Sequence, residues 1–188
     1  KLIWCKNIQP RNFTDCNTGL YVDFLTKAIG LSDYLLSCIG YLAHEFKDDT
    51  AGYIILLSEQ CLNPKDGGGS GKNIFSGLFR HITSFFSKAG SQVKYDEKFM
   101  QAWNFQKIFC ISDVLKNFSF EFLKEFTGGT ATMKKLHVNE YSIPTEDMPK
   151  FIISTQFSVD IKDGGIRRRV RPIEFTDFFT RAGGVDVY

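Results

Sequence analysis

No two cysteines of this 188-residue chain stand in a C-x-x-C pair. The five present, Cys5, Cys16, Cys38, Cys61 and Cys110, are odd in number and widely spaced. That pattern argues against a disulfide framework and for scattered reduced thiols in a cytoplasmic protein. The three histidines, His44, His81 and His137, lie far from one another and from most cysteines, so zinc-ligand spacing is missing too. No apolar run is long enough to cross a bilayer, and no secretory pattern opens the chain, so no membrane partner is expected. Net charge is only +2. Contact with nucleic acid therefore has to come from a local patch, because the chain as a whole does not demand it. The opening KLIWCKN lacks an initiator methionine, and the chain is read as a piece of something longer.

What is present is a core. A hydrophobic fraction of 43% over 188 residues suits one globular domain with a small appendage. Most of the nineteen phenylalanines fall in periodic segments and read as core. The informative stretch is YIILLSEQCLNPKDGGGSGKNIFSGLFRHITSFFS, from Tyr53 to Ser87. Tyr53 to Leu57 predicts a buried strand. Gly67, Gly68, Gly69 and Gly71 predict a loop able to take positive φ and to let backbone approach a ligand. Phe75, Leu78, Phe79, Ile82, Phe85 and Phe86 recur at three- and four-residue steps, which predicts one face of a helix. Lys72 sits where that helix begins. Backbone N–H groups, a helix start and a lysine converging on one point make a phosphate cradle.

The pattern is close to the P-loop G-x-x-x-x-G-K-[ST]. Asp66 stands at the first glycine position, and Asn73 stands where a Ser or Thr normally holds magnesium. Read blandly, the same residues are a flexible glycine-rich linker before a lysine.

Residues 1–50 read as a helical lead-in. Leu20, Val22, Phe24, Leu25, Ala28 and Ile29 are loosely helix-periodic, and Ser32-Asp33 offers a cap for a second helix through Phe46. His44 and Glu45 read as a solvated face, and Lys47 to Thr50 as a polar close. After a polar connection over residues 88–98, Ile108 to Ile111 predicts a buried strand ending at Ser112-Asp113. A carboxylate there can handle magnesium and the attacking water. It can equally cap a following helix with Leu115, Phe118, Phe122 and Phe126 on one face. Gly128 and Gly129 stop that helix. Ala131 to Val138 predicts one strand of a hairpin, with Lys134, Lys135 and His137 as candidate phosphate contacts; lysines on a strand edge also simply discourage aggregation. Phe151 to Gln156 predicts another strand. Gln156 either reaches a γ-phosphate or positioned water, or begins a loop. Arg167, Arg168, Arg169 and Arg171 interleave with Ile166, Val170, Ile173 and Phe175, which predicts an ordered strand. Such a charge run is either a solvated face or a phosphate-recognising group.

The order of these parts closely resembles the helicase core of phage and plasmid primase-helicases, in the superfamily 3 helicases of viruses and mobile elements. The glycine loop with Lys72 comes first, then a strand ending in Asp113, then EFLKEFTGGTATMKKLH, then FIISTQ, then GGIRRRVRPIEF. The resemblance covers roughly residues 30–178.

It implies an α/β fold: an AAA+-like P-loop NTPase core with a parallel central sheet flanked by helices, over 51–178. The helical segment 1–50 would precede it, and 179–188 would begin a truncated C-terminal element. It implies ATP and Mg²⁺ as cofactors, single-stranded DNA as partner, and a homo-oligomeric, usually hexameric, ring. An upstream primase domain and the cytoplasm of a bacterial host are part of the same expectation. Gly67, Gly68, Gly69, Ser70, Gly71, Lys72 and Asn73 would cradle the phosphates, Lys72 meeting β and γ. Asn73 and Asp113 would serve magnesium, Asp113 also the water. Gln156 would sense the γ-phosphate. Arg168 or Arg169 would reach a neighbour's ATP. Lys134, Lys135 and His137 would fall in or near the DNA-contacting hairpin. Asn73, Asp113, Gln156 and Thr130 each depart from the family's usual residue. Those departures motivate an alternative, a catalytically weakened nucleotide- and DNA-binding module. Another P-loop ATPase or kinase ranks third.

Overall fold

The computed structural model describes residues 19–47, 52–59, 68–93, 100–128, 130–133, 141–157, 159 and 161–181. Five strands form one parallel sheet: β1 (Ile54–Glu59), β2 (Phe85–Ala89), β3 (Ile108–Val114), β6 (Lys150–Thr155) and β7 (Val170–Phe175). Their spatial order is β2-β3-β6-β1-β7. The apolar runs of β1, β3 and β6 are near-continuous, as expected of strands covered on both faces. Their alternate residues divide between two cores. Ile54, Leu56, Phe109, Ile111, Phe151 and Ile153 face one side, where Trp103, Leu123, Phe126 and Ile166 pack. Ile55, Leu57, Ile108, Cys110 and Ile152 face the other.

That second face is covered by α1 (Leu20–Ala28), α2 (Asp33–Ala43) and α3 (Lys72–Leu78). The Ser32 side chain caps α2 by accepting from the Leu35 amide at 3.2 Å. Phe24, Leu35, Leu42, Phe75 and Phe79 are all buried there, so α1 and α2 share the core of the sheet. The first face carries α4 (Lys124–Thr127), α5 (Gly164–Arg169) and an antiparallel hairpin of β4 (Thr130–Met133) and β5 (Tyr141–Pro144). A final turn, α6 (Phe178–Arg181), follows β7. The architecture is that of a P-loop NTPase-like core: α/β, with a parallel central sheet flanked by helices.

Three local expectations are corrected. The helix after the glycine loop ends at Leu78, runs on as a 3₁₀ turn over Phe79–His81, and stops. Phe85 and Phe86 instead open β2, paired in register with Ile108 and Phe109; the Thr83 amide still donates back to the Phe79 carbonyl, and the Ser84 carbonyl accepts from the Ile108 amide. No long helix follows Asp113. Leu115 is exposed, and Phe118 meets Phe120 and Phe122 with ring centroids 5.1 and 5.6 Å apart, Phe122 lying within a 3₁₀ turn at Glu121–Leu123. The arginine run begins as helix. The Asp163 carboxylate accepts from the Ile166 amide at 2.8 Å and caps α5, and the strand starts only at Val170.

Of the expected polar close, Lys47 is described and differs from expectation; residues 48–50 lie outside the described residues. Lys47 is buried and donates to the carbonyls of Phe126 (3.0 Å) and Pro149 (2.9 Å). Lys150, at the amino end of β6, is buried as well and donates to the carbonyls of Tyr41 and His44. Burial, with a smaller push from Lys150, takes the Lys47 ammonium down to about 7. Burial takes Lys150 down to about 8, with Glu45 acting upward and Lys107 downward. In the unfolded chain both lysines return to the ordinary range near 10.5. Between pH 7 and that value the unfolded state binds more protons, so stability rises with pH. These two lysines should together contribute about 3 kcal/mol between pH 7 and pH 9 in urea unfolding, and Lys72, also lowered by burial, acts in the same direction. Above that the buried Cys110 thiol, pushed up to about 11 by burial, begins to act the other way. A stability curve flat or falling over pH 7–9 would refute the assignment.

Candidate nucleotide-binding site

β1 delivers the chain to the carboxyl edge of the sheet, where parallel α/β folds place ligands. The described part of the following loop begins at Gly68; Gly67 lies outside the described residues. Gly68, Gly69 and Gly71 have φ of +129°, +81° and +97°, a region that side-chain-bearing residues rarely adopt. Gly71 has a second constraint, since a Cβ there would stand 2.5 Å from the Phe24 ring of α1. Lys72 opens α3 and is buried.

β6 lies between β1 and β3. Its carboxyl end therefore falls between the glycine loop and the end of β3. Along β3 the register with β6 shifts between Ile111, opposite Ile153, and Val114, opposite Thr155. The one extra residue on β3 makes a bulge in which Asp113 takes φ +53°, a conformation tolerated better by Asp and Asn than by most residues. The Ser154 hydroxyl accepts from the Asp113 amide at 3.1 Å, and the Thr155 hydroxyl donates to the Val114 carbonyl at 3.0 Å. These bonds hold the bulge, and the Asp113 side chain is left exposed beyond the sheet edge. Asp113 therefore does not cap a helix.

The result is one cleft of about 330 Å³ lined by Glu59, Gly68, Gly69, Ser70, Gly71, Lys72, Asn73, Ile74, Asp113 and Gln156. Burial takes the Lys72 ammonium down to about 8, with the Asp113 charge acting in the opposite sense. The Glu59 carboxylate is in direct contact with the ammonium and favours its charged form further. Glu59 also accepts from the Ser70 hydroxyl at 2.7 Å and from the Gly68 amide at 3.3 Å. Lys72 in turn reaches the Ser70 hydroxyl at 3.2 Å.

Arg168 and Arg169 do not line this cleft; Arg168 is exposed on α5 and Arg169 half-buried. Lys134, Lys135 and His137 lie outside the described residues, between the two strands of the β4–β5 hairpin. Sequence reasoning misses Glu59, because the apolar run that predicts the strand stops at Leu57 while β1 continues to Glu59. The signal was the pair Ser58-Glu59, where an apolar run turns polar just before the loop. It also missed Ser154, which orders the bulge that presents Asp113.

The donor set fits a polyphosphate with magnesium. The Gly68 amide, the Ser70 hydroxyl and the Lys72 ammonium converge on one point, and Asp113 and Asn73 line the same cleft with oxygen atoms to offer. Magnesium needs little more than one or two carboxylates together with phosphate oxygens and water. Among the described residues there is no group of three or more His, Cys, Asp or Glu able to hold a metal without such help.

The sequence matches no protein-family model and no curated protein. Its structure resembles that of the apo A form of the NrS-1 C-terminal region, with a TM-score of 0.58 at 18% identity over 88% of this chain and 38% of that one. A second structure of that region gives 0.57 at 19% identity, over 88% and 39%. JCV helicase with a bound acetamide compound gives 0.47 at 14%, over 70% and 38%. At such identities the likeness to the NrS-1 region establishes a shared fold. The chain spans less than two fifths of that region's length.

Proposed function

We propose that this chain is the ATP-hydrolysing core of a ring-forming helicase that moves on single-stranded DNA, acting in phage or plasmid replication in a bacterial host's cytoplasm. The observation that carries the reading is the single cleft in which the glycine loop, Lys72, Asp113 and Gln156 meet at the carboxyl edge of a sheet ordered β2-β3-β6-β1-β7. The family resemblance of the sequence and the fold likeness to the NrS-1 C-terminal region support it.

Phosphoryl transfer depends mostly on positioning and charge stabilisation. In this reading Gly68 to Gly71 and Lys72 hold the β- and γ-phosphates. Asp113 and Asn73 hold magnesium, which would neutralise phosphate charge when bound. Gln156, which lines the cleft, would orient the attacking water against the γ-phosphate. The remaining cation has to come from elsewhere, because neither Arg168 nor Arg169 lines the cleft. A neighbouring subunit supplying it would make activity depend on assembly. Lys134, Lys135 and His137 would meet DNA from the hairpin. The second reading, an assembling module with poor turnover, draws on Asn73, which lacks the hydroxyl usually placed on magnesium.

ATP hydrolysis measured across a protein concentration series, with and without single-stranded DNA, tests the proposal. Specific rate is expected to rise with both. ATP binding without turnover would favour the weakened module. Absence of salt-sensitive binding to single-stranded DNA would point to a different P-loop enzyme.

A further inference from the structure

We infer that Glu59 is an internal competitor for the phosphate cradle. Its carboxylate holds the Lys72 ammonium, the Ser70 hydroxyl and the Gly68 amide, the same kinds of donor a triphosphate needs from this loop. The inference rests on the nucleotide-site reading above and concerns how that site is regulated.

Two anions cannot share these donors. The Glu59 side chain is 5% exposed and that of Lys72 8%, so their mutual attraction is weakly screened. An incoming phosphate must therefore take the ammonium from a partner already in place. The Glu59 backbone is fixed, paired in the sheet opposite Phe175 of β7. Release is thus a side-chain rotation that leaves the strand intact. The displaced carboxylate stays in the cleft, where phosphate charge repels it. It returns when that charge departs. Glu59 in this way lowers the apparent affinity of the cradle by the fraction of time it occupies it, and it assists the release of spent phosphate.

Removing the charge while keeping the shape exposes the effect. Wild-type, Glu59→Gln and Lys72→Ala chains are titrated calorimetrically with Mg·ATP and, separately, with inorganic tripolyphosphate. Glu59→Gln is expected to bind both about tenfold more tightly than wild type. Unchanged or weaker binding in Glu59→Gln, with binding lost in Lys72→Ala, would overturn the competitor role and leave the nucleotide site standing. No binding by wild type or Glu59→Gln would overturn both. Glu59→Asp guards against misfolding of the first variant. It keeps the charge but is one methylene too short to hold Ser70 and Lys72 together, and a tightening of about threefold is expected. Binding equal to wild type in Glu59→Asp would count against the competitor. Thermal melts of each variant confirm that folded chains are compared.

Discussion

Lys72→Ala is expected to do two separable things. The first is loss of ATP turnover, by about 10³-fold, as for removal of a principal electrostatic contact to a transferring group. The second is loss of stability with no nucleotide involved. Lys72 is the ion-pair partner of Glu59, and the two side chains are 8% and 5% exposed. Truncating the lysine leaves a buried carboxylate holding only a hydroxyl and an amide. Breaking a buried pair on one side costs about 3 kcal/mol, which for a chain of this size lowers the melting temperature by about 10 °C. The double variant Glu59→Gln with Lys72→Met removes both charges and should recover most of the melting temperature while remaining inactive. Differential scanning calorimetry beside an ATPase assay reads both effects. A Lys72→Ala chain that melts like wild type would refute the ion pair, whatever its activity.

Much of the fold was legible because it follows from short-range rules. The apolar runs in β1, β3 and β6 are too short and too β-branched for helices, and Gly68, Gly69 and Gly71 take positive φ. What failed were the places where two periodicities coincide. Phe75, Phe79, Phe85 and Phe86 fit a helical face by spacing, yet the last two lie in β2, because the helix has ended by His81 and an open edge of β3 is available for pairing. Spacing alone cannot report that edge. Leu115, Phe118, Phe122 and Phe126 were misread for a similar reason: aromatic rings three or four residues apart can also cluster without a helix between them. The site followed the same division. Lys72, Asp113 and Gln156 are strand-end or loop residues with recognisable neighbours, and the cleft brings them together. Glu59 depends on where β1 ends, and an element boundary is what pattern reading places least well. Lys47 was invisible for a different reason, since its burial comes from the distant carbonyls of Phe126 and Pro149.

The second large effect concerns the arginines. Arg168→Ala and Arg169→Ala are each expected to leave the fold intact, because α5 is capped by Asp163 and anchored by the buried Ile166, neither of which the substitutions touch. One of the two is expected to lower turnover by about 10³-fold, the scale of a supplied arginine in phosphoryl transfer. Since neither arginine lines the cleft that holds Lys72, the loss should be repairable by a neighbour. Lys72→Ala chains have an intact arginine and a dead cradle; the arginine variant has the reverse. In a head-to-tail ring each site joins one chain's cradle to the next chain's arginine, so random mixing of equal amounts regenerates about a quarter of the sites. The mixture should therefore turn over ATP although each component alone does not. If the arginine acted within its own chain, no pairing of the two variants could assemble a complete site, and the mixture would stay as inactive as its parts. Activity in the mixture that vanishes on dilution would tie the site to assembly. A silent mixture, with both variants shown to assemble, would place the missing cation within the chain and remove the reason for a ring.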